Sequence, residues 1–135
     1  MEVLLMKSIQ ISSHVVYIAG GIGITPFIDR ILQESSQREQ WLFVANRSAD
    51  TAVFVATLKP YLRERCVEIY EHNDTPAKHS ERGHLTPEMI QKYLVTPDNY
   101  HYFVCGPPPM MKAVTTMLEK MGIDQSHIHT ERFGW

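Results

Sequence analysis

The sequence is poor in cysteine, in clustered charge and in long apolar runs. Cys66 and Cys105 are the only cysteines in 135 residues. Each sits in an apparent strand, which argues against a disulfide framework and for reduced thiols in a reducing, cytoplasmic compartment. Thirteen Lys and Arg are scattered among fifteen Asp and Glu, for a formal charge of −2. No basic run is dense enough to neutralise a row of phosphates, so a nucleic-acid partner is not expected. The longest uncharged stretch, Val15 to Ile28, is too short and too broken by glycine to span a bilayer, and Met1-Glu2-Val3 lacks the basic start of a signal peptide. Seven histidines invite a metal reading, above all His79 with His84 and His127 with His129. Neither pair has zinc-like spacing or a third ligand in evident register, so no metal is expected.

What is present is an ordinary globular composition, 44% hydrophobic and 21% charged, in a length that suits one domain and is too short for two. Short runs rich in Val, Ile, Phe and Tyr at His14–Ala19, Trp41–Ala45, Val67–Tyr70 and His101–Cys105 do not alternate cleanly, as expected of strands covered on both faces. Ile128–Phe133 makes a fifth. Helical patterns lie between them. Pro26–Gln33 gathers Phe27, Ile28, Ile31 and Leu32 on one face, and Thr51–Leu58 follows Asp50 as an N-cap. Thr86-Pro87-Glu88 opens a third helix, and Met110–Met121 is stopped by Gly122. The alternation predicts an α/β fold, a doubly wound, Rossmann-like, five-stranded parallel sheet flanked by helices over residues 14–135. Lys78–Gly83 reads as the most mobile loop, and Met110, Met111, Met117 and Met121 read as fillers of core gaps.

Gly20-Gly21-Ile22-Gly23-Ile24-Thr25-Pro26 joins the first strand to the first helix, where a parallel sheet puts its ligand site. Glycine lets an anionic group approach the backbone, and Thr25 and Pro26 begin a helix whose free N–H groups and dipole favour phosphate. A pyrophosphate suits this turn. The spacing Gly21-x-Gly23-x-x-Pro26 nevertheless departs from the usual dinucleotide fingerprint, and the second strand ends Ala45-Asn46-Arg47-Ser48 without the acid expected there. An ordinary dehydrogenase is therefore disfavoured, and a tight turn without ligand stays open on this evidence alone.

Three features in order, the Gly-x-Gly-x-x-Pro turn, Cys105-Gly106-Pro107-Pro108-Pro109-Met110 after the fourth strand, and the terminal Glu131-Arg132-Phe133, together resemble the NAD(P)-binding domain of the ferredoxin–NADP reductase superfamily. The resemblance implies that Gly20, Gly21, Gly23, Thr25 and Pro26 line the pyrophosphate. It places Arg47 and Ser48 towards the adenosine, and Cys105 and Gly106, followed by the rigid Pro107 and Pro108, beside the nicotinamide. Glu131 and Phe133 match the family's acid and aromatic near the reacting rings, so Cys105, Glu131 and Phe133 are the expected catalytic residues.

The family's FAD is held by an upstream barrel with an Arg-x-Tyr-Ser motif, which does not occur here. FAD is expected only through a further domain or a partner, and residues 1–13 read as either a remnant of the link to it or a native start. NADP-specific members clamp the 2′-phosphate with serine and arginine after the third strand, where this chain has Glu71-His72-Asn73-Asp74. Two carboxylates repel a phosphate dianion, while Asp74 can accept from a ribose hydroxyl, so NAD(H) is favoured over NADP(H). The expected function is the nicotinamide-binding half of a flavin-dependent oxidoreductase that passes electrons to a downstream acceptor. The alternatives are a non-catalytic NAD-binding sensor or docking module, and a domain that takes another phosphate ligand.

Overall fold

A computed structural model describes residues 14–45, 49–70 and 80–131. In chain order the elements are β1 (His14–Gly20), α1 (Thr25–Glu34), β2 (Gln40–Ala45), α2 (Ala49–Leu62), β3 (Cys66–Tyr70), β4 (Ser80–Arg82), α3 (Pro87–Tyr93), β5 (Tyr100–Cys105), α4 (Pro108–Lys120) and β6 (Ile128–Thr130). The strands form one sheet in the order β4-β3-β2-β1-β5-β6, and every neighbouring pair is parallel. The chain builds outward from β1 to β4 on one side and crosses over to β5 on the other. The order therefore reverses between β1 and β5, and a crevice opens at their carboxyl ends.

The expected doubly wound parallel sheet is present, with one strand more than the five expected. Ser80–Arg82, part of the stretch read as a mobile loop, pairs with β3, and Gly83 N–H then donates to the Tyr70 carbonyl at 2.7 Å. β4 has no apolar pattern because its anchor is polar. The Glu81 carboxylate accepts from Lys92 Nζ at 2.7 Å and from the Tyr93 hydroxyl at 2.5 Å, tying the strand to α3. Asp50 lies inside the first turn of α2 rather than ahead of it. Thr86 does cap α3, its hydroxyl oxygen accepting from Met89 N–H at 3.2 Å. Gly122 ends α4 with a φ of +88° that most side chains resist.

Successive strand residues point to opposite faces. Val15, Tyr17, Ala19, Leu42, Val44, Phe103 and Cys105 pack beneath α1 and α2 with Phe27, Ile31, Leu58 and Leu62. Val16, Ile18, Phe43, Val67, Tyr102 and Val104 pack beneath α3 and α4 with Ile90, Val114 and Leu118. This double coverage explains why the strand runs do not alternate in hydrophobicity. Among the described residues no helix is long and apolar enough to cross a membrane.

Candidate functional site

The two loops singled out in the sequence meet at the reversal point. After β1 the chain makes a short 3-10 turn, Gly21–Ile24, and enters α1 directly. Gly21 takes φ +58°, and Gly23 lies against the peptide that follows β5. A Cβ on Gly23 would stand 2.2 Å from the Cys105 carbonyl oxygen and 2.9 Å from the Gly106 nitrogen. Only glycine admits this backbone-to-backbone approach. Gly106 is confined in turn, since a Cβ there would sit 2.6 Å from Met110 Sδ and 3.3 Å from the Gly20 nitrogen. Gly20, Gly21, Gly23, Thr25, Cys105 and Gly106 thus form one patch, assembled by β1 and β5.

The helix that leaves this patch has no side-chain cap at its start. No side chain caps α1 at Ile24, Pro26 occupies the first turn, and the Thr25 hydroxyl donates to the Ile22 carbonyl at 3.0 Å. The Thr25 N–H donates to the Ile22 carbonyl and Pro26 has none to give, so what favours an anion there is the helix dipole. Pro107 and Pro108 are exposed at the opening of α4, where the Pro107 carbonyl accepts from the Met110 and Met111 N–H groups at 2.9 and 3.0 Å. The proline run ends β5 and turns the chain into the helix without leaving that carbonyl unsatisfied.

Cys105 is fully buried and belongs to the core beneath α1 and α2, so the atoms that border the glycine turn are those of its peptide. Neither cysteine forms a disulfide, and burial pushes the Cys66 thiol up to about 12. Glu131 follows β6, and its N–H donates to the Val104 carbonyl at 2.9 Å, which sets the residue beside the end of β5. Its Oε1 is buried with no hydrogen-bond partner among the described residues, and burial raises its pKa. A half-buried carboxyl group with one oxygen shut from water and unpaired among the described residues is suited to accept from, or exchange a proton with, a ligand. Arg47, Ser48, Asp74 and Phe133 lie outside the described residues.

A cavity of about 630 Å³ opens beside the patch, on the α3/α4 face. Ala45, Ile69, Leu85, Met110, Ala113 and Met117 contribute to its apolar lining, and Gly83, His84 and Thr86 border it. The size suits a small-molecule site. Met110 and Met117 are thus wall residues of a cleft rather than core fillers alone, and the segment after β4 was missed as a wall. The available signals were the position of Met110 after the proline run and the φ of +89° at Gly83. His127 and His129 do lie together, joined by His101 from β5, but the rings stack. Among the described residues no group of three or more His, Cys, Asp or Glu is arranged to hold a metal ion.

Residues 17–116 match the family described as the oxidoreductase NAD-binding domain. Among curated relatives, the flavohemoprotein of Bacillus thuringiensis subsp. konkukian is 29% identical over an alignment of 131 positions that covers 89% of this chain and 32% of that protein. The anthranilate 1,2-dioxygenase electron transfer component of Acinetobacter baylyi is 25% identical, over 92% of this chain and 38% of that protein. The chain therefore spans about a third of the length of these relatives. Among solved structures, the cytochrome b5 reductase domain of Ulva prolifera nitrate reductase superposes with a TM-score of 0.68 at 25% identity, over 90% of this chain and 50% of that one.

Proposed function

The chain belongs to the oxidoreductase NAD-binding domain family, of the ferredoxin–NADP reductase type, and from that premise we propose that it is the NAD(P)H-binding half of a flavin-dependent oxidoreductase. The observation that carries the proposal is the backbone contact of Gly23 with Cys105–Gly106, which leaves a side-chain-free floor at the point where the sheet order reverses.

The pyrophosphate lies on the Gly20–Gly23 turn against the start of α1, where no side chain intrudes and the helix dipole favours it. The adenosine half occupies the apolar cavity between Leu85 and Met110, whose β2 wall ends at Ala45, two residues before Arg47 in the sequence. The nicotinamide lies over the Cys105–Gly106 peptide. Cys105 acts there by fixing the backbone, since its side chain is occupied in the core. A nicotinamide held there would supply a hydride to a flavin carried by a further domain or partner, and the glycine turn and the Cys105–Gly106 peptide would orient it. Orientation is the chain's main contribution. Glu131 keeps a carboxyl of raised pKa next to the ring's place and handles hydrogen-bond changes as charge moves. Phe133 is proposed to lie against the ring system. With Glu71 and Asp74 after β3 and no Ser/Arg clamp, NADH is preferred to NADPH.

Joining the chain to a flavin-loaded domain of its own family tests the proposal. NADH-dependent reduction of an artificial acceptor, faster than with NADPH, is the expected result. A folded, flavin-loaded pair that oxidises neither nucleotide, while the chain alone still binds NAD+, contradicts the enzyme reading in favour of a nucleotide-binding module.

A further inference from the structure

The carboxyl group of Glu131 depends on a short edge strand. β6 has three residues and, among the described residues, pairs only with β5. Its Ile128 side packs on the α3/α4 core, and on the other face lies a stack of imidazoles. His101 Nδ1 and His129 Nε2 are 3.1 Å apart, with the rings within 6° of parallel. His127 stacks on His101 at 4.2 Å, and Phe103 on His129 at 4.8 Å. A carbonyl only accepts, so His127 Nδ1 donates its proton to the Tyr100 carbonyl at 3.1 Å.

We infer that His101 and His129 are a positioning pair that fixes β6, and with it the carboxyl group of Glu131, beside the end of β5, and that double protonation of the pair releases the strand. The inference rests on the proposed role of Glu131 only for its effect on turnover; the coupling itself is a property of the nucleotide-free chain.

The chemistry is that of two facing nitrogens. In the neutral pair one ring donates and the other accepts. One added proton leaves that bond in place, whereas a second turns both facing nitrogens into donors and sets two cations 3.1 Å apart. Burial, then the charges of His101 and His127, pull His129 down to about 4. Burial, then His127, lowers His101. Among the described residues, the groups around the pair add no compensating anion to these shifts. From the turn before β6, Asp124 is held low by its hydrogen bonds from Ser126, with a lesser pull from His127. Glu119 on α4 accepts from Gln125 at 2.8 Å, His14 on β1 stacks on Tyr100, and Glu131 on β6 itself is raised by burial. Both rings bind protons more weakly in place than when released. The positioning is therefore complete above the ordinary histidine range near 6.5 and is lost as pH falls from there towards about 4.

Amide exchange by NMR on the whole chain without nucleotide tests this directly. The probe is the protection factor of the Glu131 N–H, with the β1 amides as reference. Between pH 7.5 and 4.5 (about one unit above to two below the ordinary histidine value), wild-type Glu131 should lose protection at least about tenfold relative to β1. His129→Gln keeps a partner for His101 but cannot ionise, so its loss should shrink below about threefold. If His129→Gln does not fold, His101→Gln makes the same test from the other side. Constant protection in the wild type, loss in step with β1, or an undiminished loss in the glutamine variant overturns the inference.

Discussion

The two faces of the sheet are built from the same strands but end differently. Beneath α1 and α2 the buried core runs out to Ala19, Val44 and Cys105 near the ends of their strands. Tyr17 lies 4.9 Å from Phe27 and 5.9 Å from Phe103, and its hydroxyl donates to Gln40, whose amide donates in turn to the Ile31 carbonyl. The buried Tyr17–Gln40 pair on that face is thus satisfied. Beneath α3 and α4 the core stops short, and the carboxyl ends of β1, β2 and β3 open into the cavity walled by Leu85, Met110 and Met117. One face stores stability and the other presents a surface. The glycine turn and the Cys105–Gly106 loop sit on the seam between them.

Substitutions that separate the two faces sharpen this contrast. The largest effect on stability belongs to the closed face. Phe27→Ala should cost about 3–5 kcal/mol in urea unfolding, because the aromatic cluster cannot collapse into the space. A loss below about 1 kcal/mol would mean that this face is not the stable one. At the seam, Gly23→Ala meets backbone rather than a flexible side chain, so the loops must part. Kd for NAD+ should rise at least tenfold, about 1.4 kcal/mol, as read by calorimetry. On the open face, Ala113→Phe should fill the cavity and weaken NAD+ at least about tenfold, while shifting Tm by less than about 3 °C. If it destabilised the chain as Phe27→Ala does, the cavity would be ordinary core. The smallest effect is expected from Tyr17→Phe, about 1 kcal/mol of stability with NAD+ affinity unchanged.

Elements with a strong local signal were legible in the sequence. The buried strands showed as Val/Ile/Phe runs, α1 and α4 as apolar periodicity next to proline and glycine, and the Thr86 cap as a Ser/Thr-Pro-acid start. β4 was not legible, because three polar residues carry no hydrophobic pattern and are fixed by Glu81 contacts eleven and twelve residues away. The glycine turn could be read as a phosphate site from its residues alone. Its contact with Cys105–Gly106, some eighty residues on, became visible only when β1 and β5 paired. Cys105 could be placed at the right strand end, but its side chain turns into the core because odd residues of β5 face α1 and α2. His101 could not be joined to His127 and His129 from spacing, since the β5–β6 register decides that contact.

The central claim is that the seam binds a pyridine nucleotide, and the direct test is a calorimetric titration of the chain with NAD+ and NADP+. The account predicts saturable binding with NAD+ preferred and Kd between about tens of micromolar and a millimolar, weak because the nicotinamide lacks its flavin partner. No heat of binding from either nucleotide up to several times that range would contradict it.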